Sequence, residues 1–500
     1  MVKEKGINMY KDPKYKTIFE ATEKELEILK SKSVNDPWKP IYHIHPECGL
    51  LNDPNGLAYY NGKYHVFHQW YPFGVIHGMK HWAHLESTDL ANWTRQSVAL
   101  VPIESYESHG AYSGNSIKVG EDLYLYYTGN IKYDEERRSA TQCLAIMNKH
   151  GEIKKYEKNP VISHIPDGYT GHVRDPKVFK KNGIYYMILG AQRVNRTGTF
   201  IMYKSNDGFD WNLLGELKML NFDDEETYMW ECPDYVNIDG KDVMIFSPQG
   251  LKPEGDRYNN IFNVVYTIGT LDIGNLTFSV ESCQELDRGF DFYATQSFSD
   301  KNEGKIMFAW AGQGEFKYPT DKNMWAHCLT FPRRLNLKNG ILIQNPSSAL
   351  ELLKEKTTLD KGAFEGKKVI KSGNNTYHLK AILNIEKANK FGFNLFSSNE
   401  EKLIIEFDKE NQKVKLDRSQ LNNKFAEDYG MIRQAECNFK DTIELEILVD
   451  NSIVEIFING GEVVMTTRAF PLDNSTNIEL FGDYEIKYEC SKSTLKASIK

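Results

Sequence analysis

The chain has 500 residues, of which 40% are hydrophobic and 26% charged, and 61 Lys and Arg stand against 69 Asp and Glu for a formal net charge of −8. That length exceeds one ordinary core, so two or more domains are expected. The acidic balance argues against a nucleic-acid partner or an anionic membrane surface.

The opening Met1-Val2-Lys3-Glu4-Lys5-Gly6-Ile7-Asn8 carries no apolar core of a secretory signal, and no apolar run approaches the ~20 residues of a membrane span. Residues 13–33 place Ile18, Leu26, Ile28 and Leu29 among many Lys and Glu, the pattern of one amphipathic helix, and Asn35-Asp36-Pro37 ends it. Residues 1–37 are therefore read as an N-terminal helical extension.

From 38 to 345 the pattern changes to short strands separated by Gly, Asn and Asp turns, as in Lys63–Phe67, Leu123–Tyr127, Ile184–Ile188 and Asp242–Phe246. The hairpins repeat. Asp53 precedes the turn glycine Gly62 by nine residues, Asp175 precedes Gly183 by eight, and Glu231 precedes Gly240 by nine. Similar units start at Tyr112-Ser113-Gly114, turning at Gly120, and at Asp291-Phe292-Tyr293, turning around Asn302-Glu303-Gly304. A sheet-sized period of this kind predicts an all-β fold with a five-bladed β-propeller. Residues at equivalent positions of different blades then meet at one end of the central channel.

Residues 346–358, with Leu350, Leu352 and Leu353, predict a linker helix. Strands resume in 359–500, among them Leu403–Phe407, Ile443–Val449 and the hairpin turning at Asn459-Gly460. They predict a β-sandwich. The seven cysteines, Cys48, Cys143, Cys232, Cys283, Cys328, Cys437 and Cys490, are odd in number and scattered, which points away from a disulfide framework or a zinc site and toward a cytoplasmic setting.

Hydrolysis of a glycosidic bond needs a carboxylic acid to protonate the leaving oxygen and, with retention, a carboxylate nucleophile about 5–5.5 Å away. Asp53, Asp175 and Glu231, at matched blade offsets, supply both roles with one acid to spare. The same residues carry a resemblance. His45–Gly56, with Asn52-Asp53-Pro54-Asn55-Gly56 at its end, resembles the signature of glycoside hydrolase family 32, the invertases and fructosidases. Leu50-Leu51 departs from that signature and leaves the acid in place. Arg174-Asp175-Pro176, Trp230-Glu231-Cys232-Pro233-Asp234, Tyr112-Ser113-Gly114, Asp291-Phe292-Tyr293-Ala294 and Val449–Phe457 match further family motifs in the family's order.

The resemblance implies a β-fructofuranosidase with Asp53 as nucleophile, Glu231 as acid/base and Asp175 as transition-state stabiliser. It implies sugar contacts from Asn52, Gln69, Trp82, Ser113, Gly114, Arg174 and Asp234, and no cofactor or metal. The chemistry asks for a raised pKa at Glu231 and a low one at Asp53. Trp70, Phe73 and Trp310 are candidates for an apolar wall, and Cys232 is expected to pack near Glu231. The stretches Pro72–Leu90 and Thr330–Leu335 resemble the bacterial members that act on sucrose 6-phosphate. Their product would be glucose 6-phosphate and fructose. Lys80, His81, Arg137, Arg138 and Arg257 are candidate phosphate ligands. The alternatives are a cytoplasmic invertase or fructan β-fructosidase acting on unphosphorylated sugars and, more remotely, a non-catalytic carbohydrate-binding propeller. A small-molecule sugar is the expected partner, with neither nucleic acid nor membrane, and the chain is expected to be a monomer or homodimer.

Overall fold

The computed structural model describes residues 12–222, 227–302 and 304–500. Residues 1–11 of the N-terminal extension and residues 223–226 lie outside this set, as does Glu303 of the fifth predicted turn. Two single 3-10 turns, Pro13–Tyr15 and Ile18–Glu20, precede one α-helix, Glu23–Ser33. The helix is shorter than the 13–33 expected. Thr17 and Thr22 both take extended backbone, and the Thr22 hydroxyl caps the helix by accepting from Glu25 N at 3.2 Å. Among the described residues no helix is long and apolar enough to cross a membrane.

Five antiparallel blades follow, each of four principal strands. Their innermost strands are Gly49–Tyr60, Ser116–Val119, Tyr169–Lys181, Met229–Ile238 and Tyr293–Ser299. The turns Asn61-Gly62, Asn182-Gly183 and Asp239-Gly240 have positive φ at both residues, the geometry that matches the twist of a tight hairpin. Neighbouring inner strands are tied by backbone and side-chain hydrogen bonds. Gly56 N donates to Gly114 O, Val178 N to Asn115 Oδ1, and Cys232 N to Asp175 Oδ2, while Leu57 N donates to Gln296 Oε1 across the joint between the first and last blades. Trp325–Ala326 adds a parallel pairing to Gly49–Leu50 at the same joint. Apolar clusters fill the wedges between neighbouring blades, as where Phe67, Trp82, Leu125 and Tyr127 pack together.

The linker expected over 346–358 is a single 3-10 segment, Ser348–Leu353, and a long strand begins at once at Lys354. The C-terminal unit is a β-sandwich whose two sheets share a pair of bent strands, Lys354–Lys371 and Asn477–Leu495. The later strand pairs with Lys390–Ser397 through its first half and with Thr376–Asn384 through its second. The bend falls where the register of the pair shifts between Phe364 and Gly366, and Gly366 has φ 76°.

Sandwich and propeller are joined by buried polar contacts rather than by a loose linker. Asp450 accepts from the backbone N–H groups of Ile41, Tyr42 and His43 at 2.8–2.9 Å. His43 bridges Asp450 and Glu455, each at 2.9 Å. Beyond the sandwich, Ser498–Lys500 run along the outer edge of blade 1: Trp93 N donates to Ser498 O, Lys500 N to Trp93 O, and Arg95 N to Lys500 O.

Candidate active site

Each acid stands at a β-bulge of its inner strand. Pairing with the second strand slips between Leu51 and Pro54 in blade 1, opposite Arg174–Lys177 in blade 3, between Glu231 and Asp234 in blade 4, and between Tyr293 and Gln296 in blade 5. Left-handed residues mark three of these bulges: Asp175 at φ 63°, Cys232 at 49° and Ala294 at 49°. A bulge re-aims the side chains beside it. Here it turns Asp53, Asp175, Glu231 and Tyr293 into one cavity of about 330 Å³ at one mouth of the channel. A larger cavity, about 560 Å³, opens at the other mouth and is lined by none of the three acids.

Asp53 and Glu231 have different surroundings. Asp53 accepts from the Ser113 hydroxyl and from Asn52 Nδ2 at 3.0 Å. Gln69 Nε2 donates to Ser113 Oγ at 2.7 Å, and Lys80 Nζ to Asn52 Oδ1 at 2.7 Å, so four side chains hold one carboxylate in place. Glu231 accepts from Arg174 Nε at 2.9 Å on one oxygen, and from Gln249 Nε2 at 2.8 Å and the Tyr293 hydroxyl at 2.7 Å on the other. Asp175 accepts from Cys232 N at 2.9 Å.

Burial dominates the protonation of the site. It pushes the Asp53 carboxyl up, with the charge of Glu231 adding to it, while the bonds from Ser113 and Asn52 and the charge of Lys80 pull it back. This is opposite to the low value expected of Asp53, because the sequence could not show that the group is enclosed. Burial likewise lifts Asp175 to about 7 against the opposing charge of Arg174, and lowers Lys80 to about 7 against that of Asp53.

The residues expected to contact sugar divide. Asn52, Gln69, Ser113 and Arg174 line the cavity beside the three acids. Trp82 does not: its side chain is fully buried between blades 1 and 2, against Phe67 and Tyr127, with Nε1 donating to Tyr112 O. Strand alternation accounts for this, since Trp82 lies on His81–Ser87 and its face of the strand meets the neighbouring blade. Gly114 is also away from the cavity. A Cβ there would sit 1.9 Å from Tyr126 O, so the glycine serves the close approach of inner strand to neighbour. Asp234 lies deeper in the channel, buried, and pairs with Lys177.

Of the wall candidates, Trp310 lines the cavity. Trp70 is buried with Nε1 donating to Cys48 O, and Phe73 packs against Tyr71 beneath Lys16. Of the phosphate candidates, Lys80 and Arg138 line the cavity. His81 is buried and accepts from Ile18 N, while Arg137 and Arg257 pair with Asp134 and Glu254 on exposed turns. Sequence reasoning assigned no site role to His77, Tyr112, Lys132, Gln249, Phe262, Tyr293 or Glu315, which also line it. Tyr112 and Tyr293 stood in family motifs, and His77 in the stretch Pro72–Leu90. The others sit on second strands or loops, outside the inner-strand repeat.

A propeller mouth in which carboxylates converge, two of them in contrasting hydrogen-bond settings, is the constellation of acid/base glycoside cleavage, and the protein is a glycoside hydrolase. The sequence profile of the glycosyl hydrolases family 32 N-terminal domain matches residues 43–346, and that of the family 32 C-terminal domain matches residues 345–496. The chain belongs to glycoside hydrolase family 32. It is 39% identical to a sucrose-6-phosphate hydrolase of Staphylococcus xylosus, over 94% of each chain. Its fold superposes on the sucrose-6-phosphate hydrolase of Lactobacillus gasseri with a TM-score of 0.89, at 35% identity, covering 97% of this chain and 98% of that one. A family 32 β-fructofuranosidase from Bombyx mori gives a TM-score of 0.82 at 31% identity, covering 96% of this chain and 98% of that one.

Proposed function

We propose that the protein hydrolyses the β-fructofuranosyl bond of sucrose 6-phosphate, and of sucrose, with retention, releasing glucose 6-phosphate and fructose in the cytoplasm. The convergence of Asp53 and Glu231 on one cavity carries the mechanism, and the relatives named above carry the substrate. Asp53, aimed by Asn52 and Ser113, attacks the anomeric carbon of the fructosyl unit. Glu231 gives its proton to the departing glucosyl oxygen. In the second step Glu231 takes a proton from water, which attacks the same carbon and frees Asp53. Asp175 takes hydrogen bonds from the fructosyl hydroxyls, and Arg174 holds Glu231 in place through Oε1. Residues 38–345 form the catalytic unit, and the sandwich braces it through Asp450 and Glu455.

The test compares kcat/KM for sucrose 6-phosphate and sucrose. A preference for the phosphorylated sugar is expected. Faster turnover of sucrose, inulin or levan would overturn the substrate reading.

A further inference from the structure

Two cations that line the cavity, Lys132 and Arg138, form no ion pair among the described residues, and the charge of Asp12 reaches Lys132 only from beyond ion-pair distance. Lys132 ends the second strand of blade 2, Asp122–Lys132, and Arg138 begins the third, Arg138–Met147; the two face each other across the hairpin and both line the cavity. Arg138 Nη1 lies 3.4 Å, and Arg174 Nη1 2.9 Å, from His172 Nδ1. That imidazole is no counter-charge, because burial and four surrounding cations, Arg174, Arg138, Arg196 and Lys132, press its pKa down to about 3. Arg174 has Glu231 as its acid. Among the described residues, no carboxylate lies within ion-pair distance of Lys132 or Arg138. Glu315 also lines the cavity, beside Gly314 in the chain and away from blade 2.

Contacts connect Glu231 to Arg174, Arg174 to His172 and His172 to Arg138. That chain of contacts joins the acid that protonates the leaving glucosyl oxygen to the cation at its far end. The N-terminal segment fixes the outer end. Tyr15 sets its ring edge-on against His109 at 4.6 Å, the His109 Nδ1 accepts from Lys132 N at 3.1 Å, and Lys132 Nζ stands 5.6 Å from the centre of the Tyr15 ring. Lys14 O accepts from Met79 N, which anchors the loop bearing His77 and Lys80.

We infer that Lys132 and Arg138 bind the 6-phosphate of the leaving glucosyl unit, and that Tyr15, upstream of the family 32 match, positions Lys132. The assignment rests on the sucrose 6-phosphate reading above. A phosphate monoester brings close to two negative charges and three acceptor oxygens. The guanidinium fork of Arg138 suits two of those oxygens, and Lys132 supplies a point charge.

The test measures kcat/KM for sucrose 6-phosphate and for sucrose in the wild type, Lys132→Met, Arg138→Met, their double variant and Arg138→Lys. Each Met variant is expected to lower the ratio of the two values by about tenfold or more, mainly through KM, as loss of a charged hydrogen bond implies. The double variant is expected to abolish the preference, and Arg138→Lys to keep part of it. A wild type with no preference for the phosphorylated sugar overturns the substrate reading. A wild-type preference that survives in the double variant overturns this assignment alone.

Discussion

Arg333 belongs to a stretch, Thr330–Leu335, that in the sequence resembles the sucrose 6-phosphate branch, yet the folded chain buries it completely where blade 5 meets the sandwich. Its Nε donates to Glu455 Oε2 at 2.8 Å, its Nη1 to Gln344 Oε1 at 2.9 Å and Asp287 Oδ2 at 3.1 Å, and its Nη2 to Thr466 Oγ1 at 2.6 Å. Arg333→Met would keep much of the volume and strand both carboxylates. Removing one partner of a buried ion pair costs about 3–5 kcal/mol. The lower end applies, since Glu455 keeps His43 and Phe331 N, and Asp287 keeps Gly289 N and the Thr466 donors. At roughly 2–4 °C per kcal/mol, a loss of about 3 kcal/mol should lower Tm by roughly 6–12 °C. Thermal unfolding followed by circular dichroism reads the shift. Activity well below Tm should change less than about threefold, because Arg333 is absent from the cavity lining. Adding Glu455→Gln and Asp287→Asn should recover part of the loss, since the stranded charges would then be gone. A fall of less than about 2 °C for Arg333→Met would refute the reasoning.

Asp53→Asn and Glu231→Gln should each lower kcat by about 10³-fold or more with the fold intact; near-normal turnover in the first would remove Asp53 as nucleophile. Lys80→Met takes away a cation that favours the Asp53 carboxylate. The proton on Asp53 is then harder to lose, and the acid limb of the kcat/KM profile should move to higher pH; a limb that stays put or moves down counts against the contact. Asp175 is lifted from 3.8 to about 7 by burial, so its ionised form destabilises the folded state and stability falls as pH rises from about 4 through 7. Asp175→Asn should therefore abolish activity while raising stability at pH 8 by up to about 4 kcal/mol, with no gain at pH 4. Equal Tm differences at the two pH values would contradict the burial argument.

Much of the propeller was legible because tight hairpins write themselves into sequence. Asn61-Gly62, Asn182-Gly183 and Asp239-Gly240 need positive φ, and few residues supply it. Counting back from those glycines located Asp53, Asp175 and Glu231. The bulges that aim the acids were not legible. Asp175, Cys232 and Ala294 adopt positive φ only because the surrounding sheet holds them there, and none of the three announces a left-handed site. Trp82 failed for another reason. Its polar neighbours suggested a loop, but His81 and His84 are themselves buried among rings and backbone acceptors. Lys132 lines the cavity from the end of a second strand and His172 meets Arg138 from the next blade, a relation between strands about forty positions apart that no local pattern encodes. In the sandwich, the apolar run Ile453–Ile458 ahead of the turn Asn459-Gly460 revealed a hairpin, whereas the shared bent pair depends on a register shift at Gly366 that periodicity does not specify.

The contact of Ser498–Lys500 with Trp93 and Arg95 sets the order in which the molecule can be finished. Blade 1 is the first to leave the ribosome, yet its outer strand, Thr94–Arg95, is two residues long and, among the described residues, takes its outer partner from these late residues. An unpaired strand edge is a template for pairing with another chain. Throughout synthesis of the other four blades and the sandwich, that edge stays open. The first blade begun is among the last completed, and removing residues 498–500 would leave it in its unfinished state.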